Sequence, residues 1–104
     1  MKDDGPATAD LDPEEALDLS EIFAALADVT RVRIAYAILR SERSVGEIAT
    51  RLQLSEPTVS QHLRRLRTLR LVRMRQDGRH RFYVLDDDHV ETLLAVCLEH
   101  VRGG

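Results

Sequence analysis

Two helix-start signals stand close together in the middle of this chain, and they restrict its fold more than anything else in it. Ser44 with Glu47 has the form of a capping box, and Ser55 ahead of Pro57 has the form of a cap with a first-turn proline. After Ser44, the residues Val45, Ile48, Ala49 and Leu52 recur at helical spacing. After Ser55, Val59, Leu63 and Leu66 do the same. Two short helices with only a few residues between them predict a helix-turn-helix.

Helical and strand signals extend on both sides of this pair. Asp12-Pro13-Glu14-Glu15 reads as a helix start, with Leu19, Ile22, Phe23 and Leu26 at helical spacing behind it. Asp28 can cap a second helix, Val29 to Arg40, apolar on most sides and so expected at the centre. Val72 to Gln76 and Arg81 to Leu85 alternate as strands do about Asp77-Gly78, a hairpin-turn signal. Asp86 to Asp88 cap a last helix with an apolar stripe of Val90, Leu93, Leu94, Cys97, Leu98 and Val101, which places Cys97 among core residues. The expected fold is mainly α with a small β-hairpin (α+β), a winged helix-turn-helix in the order α-α-α-α-β-β-α. Residues 1–11 are expected to form a disordered acidic tail, and residues 12–104 one compact domain.

Charge is unevenly divided along the chain. The net value of −3 hides a first stretch, residues 1–30, with nine acidic residues and one lysine. Residues 31–81 hold thirteen arginines against Glu42, Glu47, Glu56 and Asp77, and residues 82–104 are again acidic. A basic centre of that size is the footprint of a phosphate-binding surface, although a solvated arginine-rich surface would look the same by charge alone. No apolar run approaches a membrane span, and the single cysteine excludes an internal disulfide, so a cytoplasmic protein is expected. No nucleophile–base pattern or phosphate loop is present, and the chain is too short for much of a cleft, which argues against an enzyme.

The helix after Ser55 carries the chemistry. At ~100° per residue, Pro57, Gln61, Arg64 and Arg65 lie opposite the Val59–Leu63–Leu66 stripe, flanked by Thr58, Ser60 and His62. Amide and hydroxyl side chains pair with base edges, so Thr58, Ser60 and Gln61 are candidates for reading double-stranded DNA. Arg64, Arg65 and Arg67 are candidates for phosphate contact, and His62 for contact or packing. Arg73, Arg75, Arg79 and Arg81 surround the hairpin turn, and Arg75 and Arg79 are the candidate wing contacts. For each arginine taken singly, a solvated role is an equal alternative.

Ala24-Ala-Leu-Ala-Asp-Val-Thr-Arg-Val-Arg-Ile, the stretch Ser55–Leu66, and Asp77-Gly-Arg-His-Arg-Phe-Tyr-Val-Leu together resemble the ArsR/SmtB family of bacterial winged-helix repressors. The resemblance implies a homodimer, built largely from the first and last helices, that binds a palindromic operator and releases it when an inducer binds. Arg70 stands where that family usually has Gly after the recognition helix, so the helix end is expected to differ.

The last helix offers an input. His89 and His100 are eleven residues apart, which returns within about 20° of one face but separates them by about 16 Å along the axis. One metal therefore cannot join them within a helix. Two antiparallel copies would place Asp87 and His89 of one chain beside His100 of the other, a nitrogen–oxygen set suited to Zn²⁺, Ni²⁺ or Co²⁺. The pattern is similar to the last-helix site of the family's zinc, cobalt and nickel sensors. Their fourth ligand falls at Gly103 here, where water, Glu99 or Cys97 would have to substitute. The family's cysteine-rich third-helix site is absent, because Ser44 to Thr50 contains no Cys. Two other readings stay open: a regulator without metal input that answers another ligand or a protein co-regulator, and an interaction module on the same scaffold.

Overall fold

The computed structural model describes residues 10–103. The expected acidic tail, residues 1–11, lies outside the described residues apart from Asp10 and Leu11. Five helices and three strands follow in order: α1 (Pro13–Ala25), α2 (Val29–Ala37), β1 (Arg43–Ser44), α3 (Val45–Leu52), α4 (Glu56–Thr68), β2 (Val72–Asp77), β3 (His80–Leu85) and α5 (Asp88–Val101). The mainly helical winged helix-turn-helix is thus present.

Side-chain caps set where the helices begin. Asp12 and Glu15 form a capping box on α1, and Ser44 and Glu47 form another on α3. Asp28, Ser55 and Asp87 each accept a backbone N–H in the first turn of α2, α4 and α5. The Arg31 N–H holds the Asp28 carboxyl below the usual carboxylate range, and the Val90 N–H does the same for Asp87.

The hairpin gains a third strand that sequence periodicity did not announce. β1 is two residues long and pairs antiparallel with β3, Arg43 opposite Tyr83 and Ser44 opposite Phe82, giving the order β1-β3-β2. The turn is also shifted by one residue from its expected place. Asp77 pairs with His80, so Gly78 and Arg79 are the central pair. Gly78 takes φ +62° while Arg79 is not left-handed, which is the requirement of a II′-type turn with Gly first.

The helix ends differ from expectation in two ways. α2 stops at Ala37 rather than Arg40, because Ile38 and Leu39 bond back to Ala35 and Tyr36 in tightened turns and Arg40 then turns left-handed. At the end of α4, the expected departure at Arg70 does not occur. Leu71 N–H bonds the Leu66 carbonyl at 2.9 Å and Arg70 N–H bonds that of Arg67 at 3.0 Å, a Schellman closure. Arg70 accepts the left-handed conformation, φ +61°, that this closure needs.

The core gathers Ile34, Ile38, Ile48, Val59, Leu63 and Leu66, all 1% exposed or less, with Val72, Tyr83 and Leu85 from the hairpin root. Each such aliphatic side chain contributes roughly 1.5–3 kcal/mol on burial. The outer helices are different. Of the last-helix stripe only Leu94 is buried; Leu93 and Val101 are exposed, as is Val96 outside the stripe. Cys97, expected in the core, is exposed too, because it lines an open groove beside Tyr36 and Leu93 that one copy of the chain does not fill. Leu17 and Phe23 of α1 are likewise about 60% exposed. Between these helices runs an apolar groove of about 350 Å³, lined by Phe23, Leu26, Tyr36, Leu93 and Cys97 among others. One copy of the chain leaves this surface uncovered.

The left-handed Arg70 yields a stability test. Arg70→Gly should raise stability by roughly 1 kcal/mol, since glycine takes this conformation without the Cβ clash. Urea denaturation checks it; a Gly variant less stable than the natural chain would show that the Arg side chain holds the helix end.

Candidate nucleic-acid interface

α4 is seated so that its polar face has no choice but to point outward. Val59, Leu63 and Leu66 are buried, whereas Gln61, Arg64, Arg65 and Arg67 on the other side are exposed. Thr58, Ser60 and His62 lie half-buried at the margins. At the N-terminus, Ser55 Oγ accepts the Thr58 N–H at 3.2 Å and donates to Thr58 Oγ1 at 2.8 Å. The Thr58 hydroxyl is thereby oriented, with its own proton left for an outside acceptor.

His62 turns toward α2 rather than straight outward. Its Nδ1 lies 3.3 Å from Arg31 Nη1, and Arg31 Nε donates to the Ala25 carbonyl at 2.7 Å. To accept from a guanidinium, Nδ1 must be unprotonated, which leaves the ring N–H on Nε2. His62 is thus a packing link between α4 and the end of α1, with one donor to spare.

The strand pleat sorts the hairpin arginines onto two faces. Arg81 shares a face with Tyr83 and Leu85, which are buried against the helices, so Arg81 faces α4. It lines a narrow cleft of about 190 Å³ with Ser60, Arg64, Arg67 and Tyr83. A wider neighbouring cleft of about 380 Å³ includes Ser44, Glu56, Ser60, Arg79 and Arg81. Among the described residues, none of Arg64, Arg67 and Arg81 meets a carboxylate within 4.0 Å. Three uncompensated guanidiniums and two hydroxyls around one notch suit a phosphate oxygen cluster.

Arg75 lies on the opposite face, paired with Phe82 in register. It bonds Glu42 through Nε and Nη2 at 3.0 and 2.8 Å, and its guanidinium is already engaged. Arg79 stands exposed at the turn. Four arginines surround the turn in sequence, but nothing local to them brings Arg81 together with Ser60 and Arg64. Period-two alternation with Tyr83 and Leu85 was the available signal. Glu42 and Arg31 gave no local signal, since their partners are far away in sequence.

The three candidate metal ligands sit at the two ends of α5. Asp87 Oδ1 accepts the Val90 N–H at 3.0 Å, and its other oxygen lies 3.8 Å from His89 Nδ1. His89 is fully open to solvent, and His100 is exposed in the last turn. Among the described residues, no group of three or more His, Cys, Asp or Glu side chains in one protomer could hold a metal ion.

Comparison with known proteins gives a consistent picture. The family model for bacterial regulatory proteins of the arsR family matches residues 28–74. The chain is 38% identical to a cadmium resistance transcriptional regulatory protein CadC homolog of Staphylococcus aureus, over 92% of this chain and 80% of the relative. It is 39% identical to a transcriptional repressor SmtB homolog of Synechocystis sp., over 86% of this chain and 67% of the relative. In three dimensions it resembles the homodimeric winged helix-turn-helix DNA-binding domain of a possible ArsR-family regulator from Mycobacterium bovis. That match has a TM-score of 0.77 and 28% identity, and covers 93% of this chain and 95% of the other.

The notch beside α4 can be tested by salt dependence. Arg81→Ala should weaken binding to a duplex that the chain selects from a random-sequence pool, and should lower the log–log salt slope by about one per chain bound. An unchanged slope would mean that Arg81 meets no phosphate.

Proposed function

The chain belongs to the ArsR family of bacterial regulatory proteins, and from that premise we propose that it is a homodimeric repressor of transcription that binds a palindromic operator. Its family and relatives are transcriptional regulators, not enzymes. The observation that carries the DNA-binding role is the division of α4: an apolar face wholly buried, Gln61, Arg64, Arg65 and Arg67 outward, and Arg81 of the hairpin aimed at the same notch. In this reading Thr58, Ser60 and Gln61 read base edges, Arg64, Arg65 and Arg67 hold phosphates, and Arg79 reaches the adjoining backbone from the wing. The compact domain from residue 12 onward is the unit that does this.

The homodimer reading is supported by the uncovered apolar faces of α1 and α5 and by the homodimeric neighbour. A second copy over that groove would bury Phe23, Leu93, Val96 and Val101 together. No helix among the described residues is long and apolar enough to cross a membrane, so a lipid covering for these faces has no support from a spanning segment.

The input we propose is a divalent transition metal, Zn²⁺, Ni²⁺ or Co²⁺, held by Asp87 and His89 of one copy and His100 of the other. The donor chemistry fits: one Asp87 oxygen caps the helix while the other stands beside an open imidazole. A relative named for cadmium resistance supports metal input as a class. The metal would act by favouring the dimer conformation with low DNA affinity. A metal-free regulator answering another ligand or a protein co-regulator is favoured instead by Gly103 at the fourth-ligand position.

The deciding experiment is titration of the selected duplex with chelator-treated and metal-loaded protein. Metal should weaken binding by roughly 5–150-fold, the ordinary range of allosteric coupling, and His89→Ala and His100→Ala should abolish the effect. Identical binding in the two states would remove the metal input and leave the DNA reader.

A further inference from the structure

Arg75, Phe82 and Glu42 follow one another across the entire outer face of the sheet. Arg75 is on the edge strand β2, Phe82 on the central strand β3, and Glu42 directly precedes the other edge strand, β1. The Arg75 guanidinium carbon lies 4.9 Å over the Phe82 ring centroid, and the two bonds to Glu42 complete the span. Neighbouring strands are about 4.8 Å apart, so this crossing needs the full reach of a long side chain. It also needs a fork, because both carboxylate oxygens are bonded at once.

The far end of the span is firmly seated. Glu42 precedes Arg43, whose Nε donates to the Ala37 carbonyl at 2.8 Å and whose backbone pairs with Tyr83. The next residue, Ser44, is the cap of α3. The free edge of the hairpin is therefore tied to the threshold of the helix-turn-helix. Among the described residues the strand pairing between β1 and the hairpin is two residues long, and the Arg75–Glu42 bonds add to it on this face.

The electrostatics agree with a bond that is already satisfied. The mutual hydrogen bond is the first cause that holds the Glu42 carboxyl below its usual range and raises Arg75. Asp77 adds a second carboxylate 3.7 Å from Arg75. With two acids beside it, Arg75 offers little uncompensated charge to a phosphate, and it faces away from the notch that Arg81 lines.

We infer that Arg75 and Glu42 form a positioning brace that fixes the angle of the hairpin against the helix-turn-helix, and that Arg75 serves DNA binding through this brace and not as a phosphate contact. The inference rests on the DNA-binding reading and deepens it. A hairpin held in place before contact spares the complex the cost of ordering it.

The test uses the full chain and the duplex that it selects from a random-sequence pool, with affinity measured over a salt series for R75K, R75Q, E42Q and R75Q/E42Q. Each single variant should bind roughly three- to tenfold more weakly, and the double variant no more weakly than the singles. All should keep the salt slope of the natural chain. R75K is the sharpest case, because it retains the charge and loses only the fork. The brace is overturned if R75K binds like the natural chain, if R75Q lowers the slope by about one per chain, or if E42Q tightens binding. Failure of the natural chain to select any duplex would remove the DNA-binding reading itself, a separate outcome visible before any variant is made.

Discussion

Val59, Leu63 and Leu66 leave solvent almost completely, in the same cluster as Ile34 of α2, Ile38 just past its end and Ile48 of α3. A helix pinned along one side by that much apolar surface cannot rotate without exposing it, at a cost of several kcal/mol. The direction of Gln61, Arg64, Arg65 and Arg67 is therefore set by residues that never approach DNA. The same seam places the end of α4 where Leu71 and Val72 can lead into the hairpin, and so fixes where Arg81 arrives. Specificity in such a protein begins with aliphatic packing.

Local signals in the sequence disclosed most of the framework. Caps at Asp12, Asp28, Ser44, Ser55 and Asp87 are short-range chemistry and each appears where its residue types predict. What stayed hidden was non-local. β1 is two residues long and exists only because β3 offers it an edge. The Glu42–Arg75 pair joins residues 33 apart, and the Arg31–His62 link joins residues 31 apart. Cys97 departs from its expected burial for a related reason. An apolar stripe states that a face will be covered, and it does not state whether the same copy covers it. The Arg70 expectation failed because the Schellman closure, with Leu71 buried behind it, outweighs the conformational cost to one residue.

The division of charge follows the same architecture. The acidic first helix and last helix carry the uncovered apolar surface, while the arginines concentrate on α4 and the hairpin. Repulsion between acidic patches and DNA would keep the proposed subunit interface off the duplex and leave the basic face to meet it. Among the arginines of α4 and the hairpin the structure separates two kinds. Arg64, Arg67 and Arg81 stand without a carboxylate among the described residues, and Arg75 is compensated twice. Counting arginines therefore overstates the number that can meet phosphate.

The central claim is that two copies of this chain present two α4 helices to one duplex, and phosphate interference mapping on the selected duplex addresses it most directly. Ethylation of individual phosphates should block binding in two symmetric clusters, about 34–36 Å apart as two half-sites one helical turn from each other require. Interference confined to a single cluster, or spread evenly along the duplex, would contradict the account.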